Sequence, residues 1–214
     1  MRIYRVDPEE PSPEAIKAAV EALRAGELVI LPTETVYGLA CDARNPQSVD
    51  RIYAAKGRAE HSPLPIQVSD AFQLRAVADQ VSEIALRAAA KFWPGPLTLI
   101  LRRRPGQFDA IAAGGDTIAV RVPRYTIPLA VIEEFDGALA VTSANKSGEA
   151  DPTTLETAMA AVGDFAAVAL EAGPSPLGQA STVLDVTRDK PKVLRLGSVT
   201  VEELSRALGV EVES

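Results

Sequence analysis

The sequence has 214 residues, is 47% hydrophobic and 24% charged, and carries a formal net charge of −7 at pH 7. Its single cysteine, Cys41, excludes an internal disulfide and a thiolate cluster for zinc or iron–sulfur. Its single histidine, His61, lies in a polar, proline-rich stretch and disfavours both a Ser-His-Asp hydrolase and a two-histidine metalloenzyme. Length and composition predict one domain over residues 1–214.

The same totals bear on compartment and on macromolecular partners. The longest apolar runs are far shorter than a membrane span, and the first ten residues, MRIYRVDPEE, lack the apolar core of a signal peptide. We therefore expect a cytoplasmic protein with no membrane contact. The negative charge argues against a broad nucleic-acid surface, so contact with RNA is expected to be weak at most.

Helical and strand patterns alternate along the chain. A first helix has Ser12 as its N-cap and ends at Gly26, and a strand buried on both faces follows at 28–31. After a turn at Gly38, a second helix begins behind the N-cap Asn45 and stops at Gly57. Further strands are predicted at 66–68, 97–101, 117–122, 138–142, 166–170, 182–186 and 193–195. Further helices are predicted at 70–78, at 82–92, from 127 or 128, from 153 or 154 to 163, and from 200 to 209.

About seven short strands alternating with helices predict an α/β fold. The expected architecture is a single domain with one sheet flanked by helices. The strands after residue 165 are closely spaced, which indicates some antiparallel pairing and hence a mixed sheet. The carboxyl ends of such strands are the usual place for ligand sites.

Polar side chains end or interrupt several of the apolar strands. They fall into five groups, namely Thr33-Glu34-Thr35, Lys56 with Arg58, Arg121, Ser143-Ala144-Asn145, and Ser181-Thr182 with Arg195. Each group alone has a local explanation, such as a Ser/Thr turn, a loop cap or a helix dipole that favours cations. Together, cations with small hydroxyl and amide groups indicate a pocket for a nucleotide and a carboxylate.

Other phosphate and nucleic-acid signals are weak. Neither GxxxxGK[ST] nor GxGxxG occurs, so a P-loop or a dinucleotide fingerprint does not explain such a pocket. The basic run 102–104 is interpreted as a solvated edge in preference to a nucleic-acid contact. Cys41 is expected to be a small buried hydrophobe.

Several motifs resemble the YrdC-like family of threonylcarbamoyl-AMP synthases. The similarity covers about 12–209, which is the expected core of the domain, and the matching motifs stand in the family's order. They are PTETVYGL at 32–39, KGR at 56–58 with Pro63-Leu64, WPGPLT at 93–98, DTIAVRVP at 116–123, SAN at 143–145, STV at 181–183 and LRLG at 194–197.

The resemblance implies a YrdC-like fold and a synthase reaction. The fold is a twisted sheet with a concave, positively lined cavity. The reaction condenses L-threonine, bicarbonate or carbon dioxide, and ATP with Mg²⁺ into threonylcarbamoyl-AMP and pyrophosphate, with no protein ligand assigned to the metal. The product would supply the proteins that transfer the threonylcarbamoyl group to tRNA.

The same resemblance implies roles for individual residues. The family's Lys, Arg, Ser and Asn signature falls on Lys56, Arg58, Ser143 and Asn145, which are expected to act in catalysis and to contact ATP together with Thr117 and Arg195. Threonine is expected to contact Thr33, Arg121, Ser181 and Gln67.

The chain departs from the family pattern at two positions. Gln67 replaces a frequent histidine and offers a hydrogen bond without a titratable proton, and Ala59 replaces a frequent proline. The sequence also resembles the short, single-domain form of the family.

Three other functions remain open at this point. The chain could be a non-catalytic YrdC-like module that binds RNA or a nucleotide, although the Lys and Ser-x-Asn set favours the enzyme. It could be the carbamoyl-transferring domain of a hydrogenase maturation protein, which one cysteine argues against. It could also be a structural subunit. Threonine-dependent ATP consumption separates the synthase from all three.

Overall fold

Ten strands form one mixed sheet in the part of the chain that the computed structural model describes, residues 1–57 and 62–214. The strands are β1 (Arg2–Arg5), β2 (Leu28–Leu31), β3 (Gly38–Asp42), β4 (Ile66–Gln67), β5 (Leu97–Arg102), β6 (Thr117–Arg121), β7 (Leu139–Ser143), β8 (Ala166–Glu171), β9 (Thr182–Asp185) and β10 (Lys192–Arg195). Their order across the sheet is β1-β8-β2-β3-β7-β4-β6-β5-β9-β10.

The pairing is mixed, as predicted. β8 pairs in parallel with both β1 and β2, β4 with β6, and β5 with β9. The other adjacent pairs are antiparallel, including β9 with β10 at the end of the chain.

Eight α-helices accompany the sheet over the described residues. They are α1 (Pro13–Arg24), α2 (Pro46–Lys56), α3 (Leu74–Val77), α4 (Glu83–Phe92), α5 (Asp109–Ala112), α6 (Thr126–Phe135), α7 (Leu155–Val162) and α8 (Val201–Leu208), with 3-10 turns at Ala71–Gln73 and Gly163–Phe165. Within residues 1–57 and 62–214, none of these helices has the length and apolarity needed to cross a bilayer.

Local sequence signals fix the ends of α2, which carries one of the predicted site residues. The side chain of Asn45 accepts hydrogen bonds from two backbone amides at the start of the helix, and Pro46 follows at its first position. Gly57 ends the helix with a φ of 57°, a conformation that glycine adopts without steric cost. Lys56 is therefore the last helical residue.

Two hydrophobic clusters fill the space on the two faces of the sheet. On β2, Leu28 and Ile30 belong to the first cluster, while Val29 and Leu31 belong to the second. Helix α4 packs against α8 on the first face, and α1 packs against α6 on the second. The strand 28–31 is thus buried on both faces, as its continuous apolar run predicts.

On β5, β6 and β9 the second face of the sheet bears a cavity. Leu99 and Val120 point into the first hydrophobic cluster. Their strand neighbours Ile100 and Arg121 point to the opposite face and line the cavity. The alternation of Arg121 with the valines of its strand, predicted from TIAVRV, is confirmed.

Three elements were not predicted from the sequence. β1 is a largely exposed, charged strand, and α5 is a single turn, so neither carries a strong periodic signal. β3 begins at Gly38, where a turn was expected, and that prediction is wrong. A Cβ on Gly38 would lie 2.7 Å from Val141 Cγ1, so the glycine permits a close approach of β3 to β7.

Candidate functional site

A cavity of about 340 Å³ lies against the face of β5, β6 and β9. Its polar lining residues are Thr33, Thr35, Gln67, Thr98, Arg121, Thr142, Ser143, Ser181 and Arg195. Its other lining residues are Val36, Gly38, Pro63, Pro65, Ile66, Ile100, Ala119, Val141, Ala180 and Val183. A mostly apolar wall with a few convergent polar groups is typical of small-molecule sites.

The structure brings together six of the ten predicted site residues in this cavity. They are Thr33, Gln67, Arg121, Ser143, Ser181 and Arg195. The cavity lies on the face of the sheet. The prediction of a site at the carboxyl ends of the strands is wrong in this respect. Because antiparallel strands are interleaved in the sheet, their carboxyl ends point in opposite directions and do not share one edge.

Arg121 is buried and contacts two different segments, the loop after β2 and the WPGP turn. Its Nε donates to the carbonyl oxygen of Gly95 at 3.1 Å, and its Nη1 donates to Thr35 Oγ1 at 2.9 Å. Its Nη2 lies 2.8 Å from Glu34 Oε1, but the N–H bonds of Nη2 are poorly aimed, and Nη2 has no hydrogen-bond partner in the described part of the chain. The guanidinium is thus held in place and retains unused donor capacity.

The Gly95 carbonyl that receives Arg121 belongs to the WPGP turn. The Trp93–Pro94 peptide bond is cis. Gly95 N donates to the carbonyl of Val122, so two hydrogen bonds join the turn to the end of β6, one at Val122 and one at the Arg121 side chain. WPGP therefore contributes to the site through its backbone.

Arg195 is the second guanidinium in the cavity. Its Nε and Nη2 both donate to the carbonyl oxygen of Ser181, at 3.2 and 2.9 Å, and Nη2 also reaches Ser181 Oγ. Burial lowers the pKa of Arg195, Asp151 opposes that shift, and the positive charge of Arg121 lowers the pKa further. Two cations that repel each other across one cavity favour an anion between them.

Ser181 and Gln67 are buried polar side chains on the cavity wall. Ser181 Oγ exchanges a hydrogen bond of 2.8 Å with Thr98 Oγ1. Gln67 is 5% exposed, and its Oε1 has no hydrogen-bond partner within the described residues. A buried carbonyl oxygen without a donor is costly in an empty cavity and is satisfied when a ligand supplies an N–H or O–H.

Thr33 forms a Ser/Thr turn, as its local sequence predicts. Its Oγ1 accepts from the backbone amides of Thr35 and Val36, both at 3.2 Å, and donates to the Val36 carbonyl at 2.6 Å. The hydroxyl also lies 2.8 Å from Thr35 Oγ1, which receives Arg121. Thr33 therefore shapes the loop that holds Arg121 and also lines the cavity.

Lys56 is 4% exposed and contacts the SAN segment without lining the cavity. Its Nζ donates to the carbonyl of Ser143 at 2.6 Å, to the carbonyl of Asn145 at 2.8 Å and to Asn145 Oδ1 at 2.9 Å. Ser143 Oγ also donates to Asn145 Oδ1, at 2.7 Å. In this arrangement the ammonium group fixes the segment that presents the Ser143 hydroxyl to the cavity.

Asn145 caps the loop that follows it, as one interpretation of the sequence predicts. Its Nδ2 donates to the carbonyls of Glu149 and Ala150, at 2.8 and 3.2 Å. Asn145 lines a second cavity of about 530 Å³, beside α7, and does not line the first.

Two predicted site residues remain, Thr117 and Arg58. Thr117 shares the sheet face of Ala119 and Arg121 on β6, but it is not among the residues that line the cavity. Arg58, like His61, lies outside the described residues.

Part of the cavity lining was not predicted from the sequence. Thr98 is the one polar residue within the apolar run LTLIL. Because strand side chains alternate, Thr98 points to the face of the sheet opposite Leu97 and Leu99, and this pattern could have indicated that it lines the cavity. The small and β-branched wall residues, such as Ala119 and Val183, carry no such signal because they are ordinary strand residues.

In the basic run, Arg102 and Arg104 are exposed, as a solvated edge predicts, whereas Arg103 is partly buried. Arg102 pairs with Asp116, and Arg103 pairs with Asp109 on the basic run. Cys41 is buried, and burial raises the pKa of its thiol, with a smaller contribution from Asp42.

Gly197 is expected to be essential to the Ser181 side of the cavity. An added Cβ would lie 2.1 Å from the carbonyl oxygen of Ala180 and 2.5 Å from the carbonyl carbon of Ser181, both backbone atoms that cannot move aside cheaply. We expect Gly197→Ala to lower the free energy of unfolding by about 1–3 kcal/mol in urea denaturation.

The matched control for this substitution is Gly163→Ala. A Cβ at Gly163 would meet its nearest neighbour, Met159 Cβ, at an ordinary 3.5 Å, and the residue is already in a helical conformation. The control is expected to stay within about 0.5 kcal/mol of the parent or to gain stability. Equal stability of the two variants would contradict the close packing at Gly197.

These features define an α/β protein with a small-molecule cavity in which two guanidinium groups and several hydroxyls converge. The Sua5/YciO/YrdC family model, described by the words "Telomere recombination", matches residues 21–197. The chain belongs to this family.

Individual relatives cover nearly the whole chain. A Mycobacterium tuberculosis protein provisionally named a threonylcarbamoyl-AMP synthase is 37% identical over 209 residues, which is 97% of this chain and 95% of the relative. The threonylcarbamoyl-AMP synthase of Bacillus subtilis is 38% identical over 195 residues, 91% of this chain and 56% of that protein.

Among solved structures, that of Pyrococcus abyssi Sua5 complexed with L-threonine is similar with a TM-score of 0.95 and 36% identity. The similarity extends over 100% of this chain and 63% of the Sua5 chain. The chain thus spans a little over half the length of these longer relatives and nearly the full length of the mycobacterial one.

Proposed function

We propose that the chain is an L-threonylcarbamoyladenylate synthase, a transferase that forms threonylcarbamoyl-AMP and pyrophosphate from L-threonine, bicarbonate or CO₂, and ATP. The observation that carries the proposal is the convergence of Arg121 and Arg195 in one cavity of about 340 Å³ with the hydroxyls of Ser143 and Ser181. The names of the relatives and the L-threonine complex of a similar structure support it.

Threonine would bind against β6 and β9. Its carboxylate would pair with N–H groups of the Arg121 guanidinium that the Gly95 carbonyl and Thr35 Oγ1 do not use. Gln67 Oε1 would accept from a donor of the amino acid. Thr33 and Ser181, as wall hydroxyls, would complete the polar contacts.

ATP would bind on the side of the SAN segment. Ser143 Oγ and Arg195 would contact phosphate oxygens, with Thr117 farther along the same sheet face. Lys56 and Asn145 would act chiefly by holding Ser143 in place, because the Lys56 ammonium already contacts three oxygens of that segment. Arg58 would add a further cation at the phosphates.

The reaction needs positioning and charge neutralisation more than proton transfer. The threonine amine adds to CO₂ and loses one proton to solvent, which gives a carbamate. A carbamate oxygen then forms a bond to the α-phosphorus of ATP as the bond from that phosphorus to the bridging oxygen of pyrophosphate breaks. Because the carbamate is already anionic, no general-base histidine is required, and fixed cations that stabilise the developing charge are sufficient.

Mg²⁺ would enter with ATP as its counterion. No group of three or more His, Cys, Asp or Glu side chains suited to a metal occurs in residues 1–57 and 62–214. The buried carboxylate beside the cavity, Glu34, contacts Arg121. These residues do not make a resident metal centre, so phosphate oxygens and water would hold the ion.

The product would be made in the cytoplasm and passed to the proteins that transfer threonylcarbamoyl to tRNA. The net charge of −7 gives no support to a large RNA surface, so weak RNA contact is the most we propose.

The proposed activity is tested by mass spectrometry of the product formed from ATP, bicarbonate and L-threonine, together with pyrophosphate release. We expect a mass of threonylcarbamoyl-AMP and pyrophosphate release that depends on both threonine and bicarbonate. ATP or RNA binding without this product would favour the non-catalytic YrdC-like module. Threonine-independent ATP cleavage would also contradict the proposal.

A further inference from the structure

A buried ion pair stands beside the cavity, and one member of it does not line the cavity. Glu34 is 3% exposed, and its Oε1 lies 2.8 Å from Arg121 Nη2. Arg121 lines the cavity, whereas Glu34 is not among the lining residues. The carboxylate therefore contacts the guanidinium from outside the cavity.

The carboxylate is itself fixed by the backbone. Its Oε1 accepts from the amide of Arg124 at 2.9 Å, and the carbonyl of Glu34 accepts from the amide of Leu177. Arg124 follows β6 by three residues, so Glu34 joins the loop after β2 to the chain that leaves Arg121. A guanidinium held by a fixed carboxylate, a carbonyl and a hydroxyl has one orientation.

The pair is incompletely hydrogen-bonded, which argues against a purely structural role. Arg121 Nη2 and Glu34 Oε2 are buried, and neither has a hydrogen-bond partner among residues 1–57 and 62–214. A buried ion pair is weak support for stability even with good geometry, because desolvation opposes the attraction of the charges. Here the geometry leaves a donor of Arg121 unused, as expected of a group that is kept ready for a ligand.

The charge of Glu34 also matters for the cavity. Arg121 lines the same cavity as Arg195, and its positive charge contributes to the lowered pKa of Arg195. A carboxylate at 2.8 Å from Arg121 balances one of these two charges. The cavity can then hold both guanidinium groups in place before an anionic ligand arrives.

We propose that Glu34 is a positioning residue that sets the orientation and the charge balance of Arg121, so that the guanidinium meets the carboxylate of an amino-acid substrate. This inference rests on the proposed function, in which that substrate is L-threonine. Glu34 acts through Arg121 and does not contact the substrate.

The test is the Kd of L-threonine, measured by calorimetry without ATP, for the parent and for Glu34→Gln. The carboxamide keeps the size of the side chain and removes its charge, and we expect threonine binding to weaken roughly tenfold, with the KM of ATP within about twofold of the parent. Glu27→Gln is the matched control, because Glu27 pairs with Arg51 on the surface away from the cavity. Its threonine Kd is expected to be unchanged.

A double-mutant cycle separates positioning from general stability. In an Arg121→Met background, Glu34→Gln is expected to add no further loss of threonine affinity, since there is no guanidinium left to orient. Glu34→Asp keeps the charge on a shorter side chain, and we expect it to recover part of the threonine affinity. If Glu34→Gln folds poorly, the Kd of L-threonine for Glu34→Asp tests the positioning role instead.

Each outcome bears on one of the two claims. Unchanged threonine Kd in folded Glu34→Gln and Glu34→Asp, or additive losses in the cycle, overturns the positioning role. Threonine binding by the parent without formation of the adenylate overturns the proposed function and leaves the inference on Arg121 standing. Absence of threonine binding by the parent overturns both.

Discussion

Replacing Arg121 with alanine is expected to weaken L-threonine binding by roughly 10- to 100-fold, as the loss of a charge-assisted contact predicts. The same change removes the ion-pair partner of the buried carboxylate of Glu34 and the hydrogen-bond donor to the Gly95 carbonyl. We therefore also expect the free energy of unfolding to fall by about 3–5 kcal/mol. Calorimetry at a temperature where the variant remains folded measures the first effect, and urea denaturation measures the second.

The informative companion is Arg121→Lys. Lysine keeps the positive charge beside Glu34 but cannot contact Gly95, Thr35 and a carboxylate at once with a planar fork. We expect most of the stability to return while threonine affinity stays well below that of the parent. Parental threonine affinity in both variants would remove Arg121 from the binding site.

The second large effect is expected at Lys56. Lys56→Met keeps the length of the side chain and removes three donors to the SAN segment, leaving the oxygens of Ser143 and Asn145 without that partner. We expect the free energy of unfolding to fall by about 2–4 kcal/mol. We also expect turnover in threonine-dependent pyrophosphate release to fall by roughly tenfold to a thousandfold, because Ser143 loses its support beside the phosphates.

Lys146→Met is the matched control for this variant. Lys146 Nζ donates to the carbonyl of Ala55 on the same helix, α2, but it does not contact the SAN oxygens and does not line the first cavity. The control is expected to change stability by about 1 kcal/mol at most and turnover by no more than about twofold. Equal activities of the two variants would contradict the assignment of Lys56 to the site.

Much of the fold was predictable because local signals and packing agree. The N-caps Ser12, Asn45 and Thr200 and the helix end at Gly57 are where the sequence predicts them. The strand 28–31 is buried on both faces, as its apolar run indicates. β1 could not be predicted in the same way, since an exposed edge strand needs no hydrophobic alternation.

The site was predictable only in part, because a sequence shows which side chains are polar but not how they partner. Arg121 was identified from its place in an apolar strand, and it lines the cavity. Lys56 was expected to face phosphates, but its Nζ is directed to three oxygens of a segment nearly ninety positions away. Such a contact depends on the antiparallel pairing of β3 with β7, which follows from a strand that the sequence did not reveal.

The location of the cavity was also predictable only in part. The sequence predicted polar groups at strand ends, and Thr33 and Ser143 do occupy such positions. The cavity floor is formed instead by mid-strand residues, including Thr98 and Ala119, whose side chains face away from the first hydrophobic cluster. Sheet order, which brings β6, β5 and β9 side by side, decides this arrangement.

The most direct test is a crystal structure of the protein with L-threonine bound. We predict that the amino acid occupies the cavity on β5, β6 and β9, with a carboxylate oxygen about 2.7–2.9 Å from a nitrogen of the Arg121 guanidinium and a donor of the ligand within hydrogen-bond distance of Gln67 Oε1. Threonine bound at another surface, or in this cavity with its carboxylate turned away from Arg121, would contradict the account.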